Sequence, residues 1–248
     1  GIHAEYTCPK ELLLQVAEIV KRHKAPFFTH LAETKREVEE CKERYGMTPT
    51  QLLNDLGLFD YGGGGYHCVY MDDKDIEIFK EKKLTAVTNP ASNLKLASGI
   101  APVSRFLKEG IPVAIGTDGA GSNNCLDMFR EMFLTTALAK VRENDAAVVP
   151  AEDVLYMATV AGAKCMGLDD CDRLAVGKKA DIIMIDLQQP NMQPENNTIK
   201  NIVYSGSKQN VALTMVNGKI LYEAGQFNIG FDPAEIYAKA NAIIGRMK

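Results

Sequence analysis

Two histidines and two carboxylates stand where short apolar runs give way to loops: His30 and Glu33 after "PFFT", His67 within "YHCVYM", and Asp118 after "PVAIGT". Imidazole nitrogens and a carboxylate are suitable ligands for a divalent metal such as zinc, and a catalytic metal site keeps one position open for water. A metal so held lowers the pKa of that water toward neutrality. A nearby carboxylate outside the ligand set, such as Glu33, can then carry a proton between water, substrate and leaving group. Taken singly, each residue has an ordinary structural reading. A histidine at a strand end is commonly satisfied by a carbonyl, an aspartate in "GTDGAGS" suits a turn, and Glu33 would favour the first turn of the helix after it. The joint pattern is harder to obtain by accident. Of the four histidines, two fall at strand ends, His3 stands just before the first helix, and His23 in "VKRHK" belongs on a solvated helix end. Asn89, Ser92 and Asn93, after "TAVT", add polar groups to the set, with no role that their types alone define.

The elements that must position these residues are legible as alternating periodicities. A helix is expected over Pro9–His23, then a strand over Pro26–Thr29. A second helix follows, with Val38, Cys41 and Tyr45 on one face and Gly46 to stop it. Thr48, Pro49 and Gln51 open a further short helix. "YHCVYM", "LTAVT" and "IPVAIGTD" read as strands, separated by the helices "DDKDIEIFKEKK" and "APVSRFLKEG". Two helices follow, "LDMFREMFLTTALAKVREN" and "PAEDVLYMATVAGAKCMG"; Met128, Phe129, Met132 and Phe133 in the first are expected in the core. Strands alternating with helices imply right-handed crossovers and a mostly parallel sheet, whose carboxyl-end loops form the ligand face. After Gly177, "GKKADIIMIDL", "IKNIVYSG" and "VALTMVNGKILYEAG" read as short β segments, with a hairpin turn at Asn217-Gly218. A helix over Pro233–Met247 ends the chain.

Composition narrows the function. The chain has 248 residues, 46% of them hydrophobic, enough for one large α/β domain or for one domain and a small companion. Its 28 Lys and Arg are dispersed among 32 Asp and Glu, for a net charge of −4, so a small-molecule partner is expected rather than nucleic acid. No apolar run reaches membrane-span length and no signal-peptide pattern is present, which reads as a soluble cytoplasmic protein. The six cysteines form no CxxC pair, and reduced thiols are expected. "YGGGGY" lacks the spacing of a phosphate-binding loop and reads as a flexible or close-packed lead into the His67 strand. No G-x-S-x-G elbow occurs, and Cys68 should face away from His67, which disfavours a Cys/His nucleophilic pair.

In order, "FFTHLAET", "YHCVYMDDKDI", "TNPASNLKL" and "GTDGAGSNN" resemble the amidohydrolase superfamily, and most closely its branch of 5-methylthioadenosine/S-adenosylhomocysteine deaminases and related chlorohydrolases. "IHAEYTC", "VGKKADIIMIDL" and "VNGKILYEAGQ" extend the resemblance over essentially the whole chain. The resemblance implies an α/β fold, a (β/α)8 barrel of which this chain holds strands five to eight, with part of a small β-sandwich domain. The change to short β segments puts the domain change near residue 174, so the barrel half would be residues 1–173, the β portion 174–230 and a C-terminal helix 231–248. His30 would be a metal ligand, Asp118 both metal ligand and general base, Glu33 a ring contact and proton shuttle, His67 a group that orients or polarises nucleophile or substrate, and His3 a substrate contact. The implied cofactor is one divalent metal, zinc ahead of iron. The implied reaction replaces the amino group of a purine ring in an adenine nucleoside thioether and releases ammonia. Guanine, a cytosine-like ring or a chlorotriazine could use the same residues, and a non-catalytic oligomerising module is the alternative of a different class. Family members carry a His-x-His pair on the first barrel strand, and this sequence has none. It also begins Gly1-Ile2-His3, without Met, as a fragment does. The chain is therefore expected to be inactive by itself, and to associate with itself or with a complementing N-terminal segment.

Overall fold

Four parallel strands, hydrogen-bonded in sequence order, form the first sheet of the computed structural model, which describes residues 1–247: β1 (Phe27–Leu31), β2 (Gly63–His67), β3 (Thr85–Thr88) and β4 (Val113–Ile115). The register pairs Leu31 with His67, Tyr66 with Val87, and Thr88 with Ile115, which brings the strand exits to one rim. A lone parallel bridge from Ala4 to His30 adds one rung on the free side of β1. Along β1 the side chains alternate: Phe27 and Leu31 are fully buried against the helices. Phe28 faces the other way, into an open cleft of about 740 Å3 that Tyr66, Thr85, Val87, Ala114 and Gly116 also line.

The helices between strands form where the sequence supplies caps. After α1 (Lys10–His23), α2 (Lys35–Tyr45) begins at Thr34, whose hydroxyl accepts from the Glu37 N–H while the Glu37 carboxylate accepts from the Thr34 N–H, and it stops at Gly46 with φ 73°. The first-turn carboxylate is thus Glu37 and not Glu33, which precedes the cap. Next come α3 (Pro49–Asp55), α4 (Asp73–Glu81), a short α5 (Pro90–Lys95) directly after β3, and α6 (Val103–Lys108). A single turn, α7 (Ala120–Asn123), precedes the long α8 (Met128–Glu143) and α9 (Ala151–Tyr156). From Met157 the helix continues as a π turn to Ala161, then as α10 (Gly162–Cys165). Phe129 and Met132 of α8 are buried, as expected of core positions, but Phe133 is 45% exposed.

The second strand departs from expectation. Extended structure covers Gly63–His67 and ends there, because His67 and Cys68 adopt φ of 72° and 49° and turn the chain off the sheet. The glycines are the strand itself. A Cβ on Gly64 would lie 2.0 Å from the Thr85 carbonyl oxygen, and one on Gly65 would lie 2.7 Å from Leu31 Cδ2, so close packing explains Gly64 and Gly65.

A separate antiparallel sheet contains β5 (Ile182–Ile185), β6 (Val211–Val216), β7 (Lys219–Glu223) and β8 (Gln226–Phe227). Asn217 and Gly218, with φ of 48° and 79°, make the expected tight turn. "IKNIVYSG" is not a strand: Thr198–Ser205 is a helix, α11, capped by the Asn197 side chain. Ile199, Ile202 and Val203 share one helical face and pack toward α8 and α9, a 3.6-residue period that overrides the β propensity of the individual residues. The last helix, α12 (Pro233–Gly245), buries none of its residues. All six cysteines are free. Among the described residues no helix is long and apolar enough to cross a membrane.

Candidate active site

The rim formed by the strand exits is where the backbone leaves the common regions of φ. Ala32, His67, Cys68 and Asp118 all have positive φ, between 49° and 72°. Each costs on the order of 1 kcal/mol or more, and such residues cluster where the fold must aim a side chain. His30 and His67 stack with ring centroids 5.3 Å apart, and the His3 ring lies 4.7 Å from that of His30. Glu33 Oε2 stands 3.7 Å from His67 Nε2. The rim therefore gathers His3, His30, Glu33 and His67 from the sequence-derived set. Asp118 joins them through Ser92, whose hydroxyl donates to Asp118 Oδ2 at 2.5 Å. His23 is exposed at the end of α1, apart from the site.

Hydrogen bonds fix what each group can offer. His30 Nδ1 donates to the His3 carbonyl at 2.6 Å, and His67 Nδ1 donates to Asn93 Oδ1 at 2.7 Å. Both rings thus commit one N–H to an oxygen, leaving Nε2 as the nitrogen with a lone pair, the arrangement typical of a metal-ligating or proton-accepting histidine. His67 Nε2 is buried and has no hydrogen-bond partner. Burial pushes the His67 pKa below the ordinary histidine value, against the opposing pull of Glu33 and Asn93, so the ring is neutral at pH 7. For Asp118, burial alone would raise the pKa. Hydrogen bonds from Ser92, the Gly119 N–H and Ser122 outweigh it and hold the carboxylate below its usual range, ionised.

Several contributors were not assignable from sequence. Ser98 donates to Glu33 Oε1 at 2.8 Å. The fully buried Glu131 of α8 accepts from the Ala91 N–H and from Asn123 Nδ2, and that amide also donates to the Thr117 carbonyl. Glu131 therefore ties the first turn of α5 to the segment that carries Asp118. Glu37 accepts from the N–H groups of Ala32 and Glu33 and so braces the turn that presents Glu33. Ser92 and Asn93 carried the signal of lying just past a strand end; Ser98, Glu37 and Glu131 carried none.

Among the described residues, no three His, Cys, Asp or Glu side chains converge closely enough to hold a metal ion. The donor chemistry nonetheless fits part of such a centre: two imidazoles with Nε2 free and an ionised carboxylate on one rim. Fewer ligands are present than a closed four-coordinate site requires.

Parallel βα units with polar residues at the strand exits are a hydrolase-barrel type of arrangement, and the amidohydrolase family's sequence profile matches residues 1–221. The chain belongs to the amidohydrolase family. It is 47% identical over 224 residues to the 5-methylthioadenosine/S-adenosylhomocysteine deaminase of Caldanaerobacter subterraneus subsp. tengcongensis, covering 90% of this chain and 52% of that protein. It is 46% identical over 240 residues to the Moorella thermoacetica protein of the same name, covering 96% and 56%. Among solved structures, an adenosine deaminase from Xanthomonas campestris with bound zinc superposes with a TM-score of 0.93 at 32% identity, over 98% of this chain and 56% of that one. The chain spans about half the length of the curated relatives it matches.

Proposed function

We propose that this chain supplies the C-terminal half of the catalytic barrel of a metal-dependent aminohydrolase acting on an adenine nucleoside thioether such as 5-methylthioadenosine or S-adenosylhomocysteine. The observation that carries the reading is the rim itself: His30, Glu33, His67 and Asp118, each on the exit of a parallel strand, with two Nε2 lone pairs and an ionised carboxylate available. The substrate class follows from the names of the relatives at 46–47% identity. Residues 1–173 would form the barrel half, 174–230 part of a small β domain and 231–248 a closing helix.

His30 and Asp118 would hold a divalent metal, with zinc the first candidate because the similar adenosine deaminase binds it. When bound, the metal lowers the pKa of water and so supplies a nucleophile at neutral pH. Asp118, kept ionised by its three hydrogen-bond donors, accepts the proton of the attacking water. As the C–O bond forms at the ring carbon bearing the amino group, Glu33 donates a proton to the adjacent ring nitrogen. Asp118 passes the water's proton to the amino group, the C–N bond breaks and ammonia leaves, and the remaining hydroxyl proton returns to Glu33 as the ring carbonyl forms. Ser98 on Oε1 keeps Glu33 Oε2 turned toward His67 and the ring. His67 orients the nucleophile through its unpartnered Nε2, and His3, exposed at the rim, contacts the substrate.

The test is ammonia release from 5-methylthioadenosine and S-adenosylhomocysteine, set beside guanine, cytosine and a chlorotriazine. It uses the chain alone with zinc, and the chain co-expressed with the preceding half of a relative. Turnover of the adenine thioethers by the complemented chain alone is expected. Vigorous turnover by the 248-residue chain by itself would refute the incomplete-site reading, and inertness of the complemented chain toward every ring would refute the deaminase.

A further inference from the structure

Three side chains from one ten-residue stretch, Asn89–Ser98, each touch a different candidate catalytic group. Ser92 donates to Asp118, His67 donates to Asn93, and Ser98 donates to Glu33. The stretch is tied back on itself by backbone hydrogen bonds. The Asn93 N–H donates to the Asn89 carbonyl at 3.0 Å, the Ser98 N–H donates to the Asn93 carbonyl at 2.8 Å, and Asn93 is 1% exposed. Its side-chain oxygen is thereby held against one nitrogen of a ring that is itself 1% exposed.

A neutral imidazole carries one proton, and its two tautomers offer opposite faces to a reactant. An amide oxygen can only accept, so contact with Asn93 Oδ1 places the proton on Nδ1 and strips Nε2 of it. We propose that Asn93 is a positioning residue that locks His67 in the Nδ1–H tautomer, so that Nε2 presents a lone pair toward Glu33 Oε2. Two acceptors then face each other at 3.7 Å, leaving room for one proton between them. That proton belongs to Glu33 or to the reacting molecule, never to His67, which makes Glu33 the sole proton carrier of the pair. The catalytic meaning rests on the deaminase reading; the tautomer itself does not.

Four histidines make the measurement direct. Long-range 1H–15N correlation spectra of the uniformly labelled 248-residue chain, recorded on the basic side of neutrality, report which ring nitrogen is protonated, and the His67 signals are those lost in His67→Asn. We expect protonated Nδ1 and bare Nε2 in the wild type, the same pattern in Asn93→Asp, where a carboxylate oxygen still accepts, and mixed tautomers in Asn93→Leu. A wild-type spectrum with Nε2 protonated overturns the proposal. So does a folded Asn93→Leu, judged by circular dichroism, in which the Nδ1–H tautomer remains pure. Should Asn93→Leu fail to fold, the wild-type and Asn93→Asp spectra decide. Loss of the deaminase reading in the ammonia assay would leave these spectra unchanged, so the two failures are distinguishable.

Discussion

Glu33 illustrates how much of the chemistry a single side chain concentrates. It has one oxygen held by Ser98 and the other turned to His67. Glu33→Gln in the complemented chain removes the proposed proton carrier and should lower kcat by about 10²–10⁴-fold; ammonia release within a few-fold of wild type would exclude it from proton transfer. Ser98→Ala removes one donor to the carboxylate and should cost about tenfold in kcat, with KM little changed. A change confined to KM would instead assign Ser98 to substrate contact. At this scale the sequence was informative for His30, Glu33, His67 and Asp118, because each interrupts or ends an apolar run. Ser98 was invisible: it lies ten residues past β3, and only the fold-back of its N–H onto Asn93 returns it to the rim.

Among the elements, β2 depends on the absence of side chains. Gly64→Ala would put a methyl 2.0 Å from the Thr85 backbone oxygen, and neither strand can yield without losing the pairing. A loss of about 1–3 kcal/mol is expected in urea unfolding, whereas Gly245→Ala, with nothing within 4 Å, should be neutral; equal midpoints for the two would refute the close-packing account. α8 contributes a different device, since burial raises the Glu131 carboxyl above its ordinary value against the hydrogen bonds from Ala91 and Asn123. Between the unfolded and native pKa values the native state keeps a proton that the unfolded chain has released, so stability falls as pH rises through that window. The stability of wild type relative to Glu131→Gln should therefore decline as pH rises above the ordinary glutamate range, and a flat difference would contradict it. Strand and helix alternation was readable because the period of each segment is set by burial. β2 and α11 were not, since contact with Phe27, Leu31 and Thr85 selects glycine in the one, and packing on α8 and α9 selects helix in the other.

At the scale of the whole molecule, the first sheet is half a barrel: Phe28, Tyr66, Val87 and Ala114 look into a cleft of about 740 Å3, and α12 buries nothing. Exposed apolar surface of this kind and unpaired strand edges favour association. Sedimentation of the isolated chain should show concentration-dependent oligomers that disappear when the preceding half of a relative is co-expressed; a strictly monomeric chain at high concentration would show the surface to be self-sufficient.

The order of the strands has a consequence for how such a half assembles. In both sheets each strand pairs with its neighbour in sequence, β1 to β4 and then β5 to β8, so each strand after β1 and β5 finds a partner already synthesised. Growth of the chain can add one rung after another at a moving edge, with loop closure spanning a single crossover each time. The rim inherits that timetable: His30 is placed first, His67 next, the clamp of Asn89–Ser98 after it and Asp118 last, so Glu33 and His67 precede Ser98 and Asn93, which hold them, whereas Asp118 arrives at a Ser92 already made.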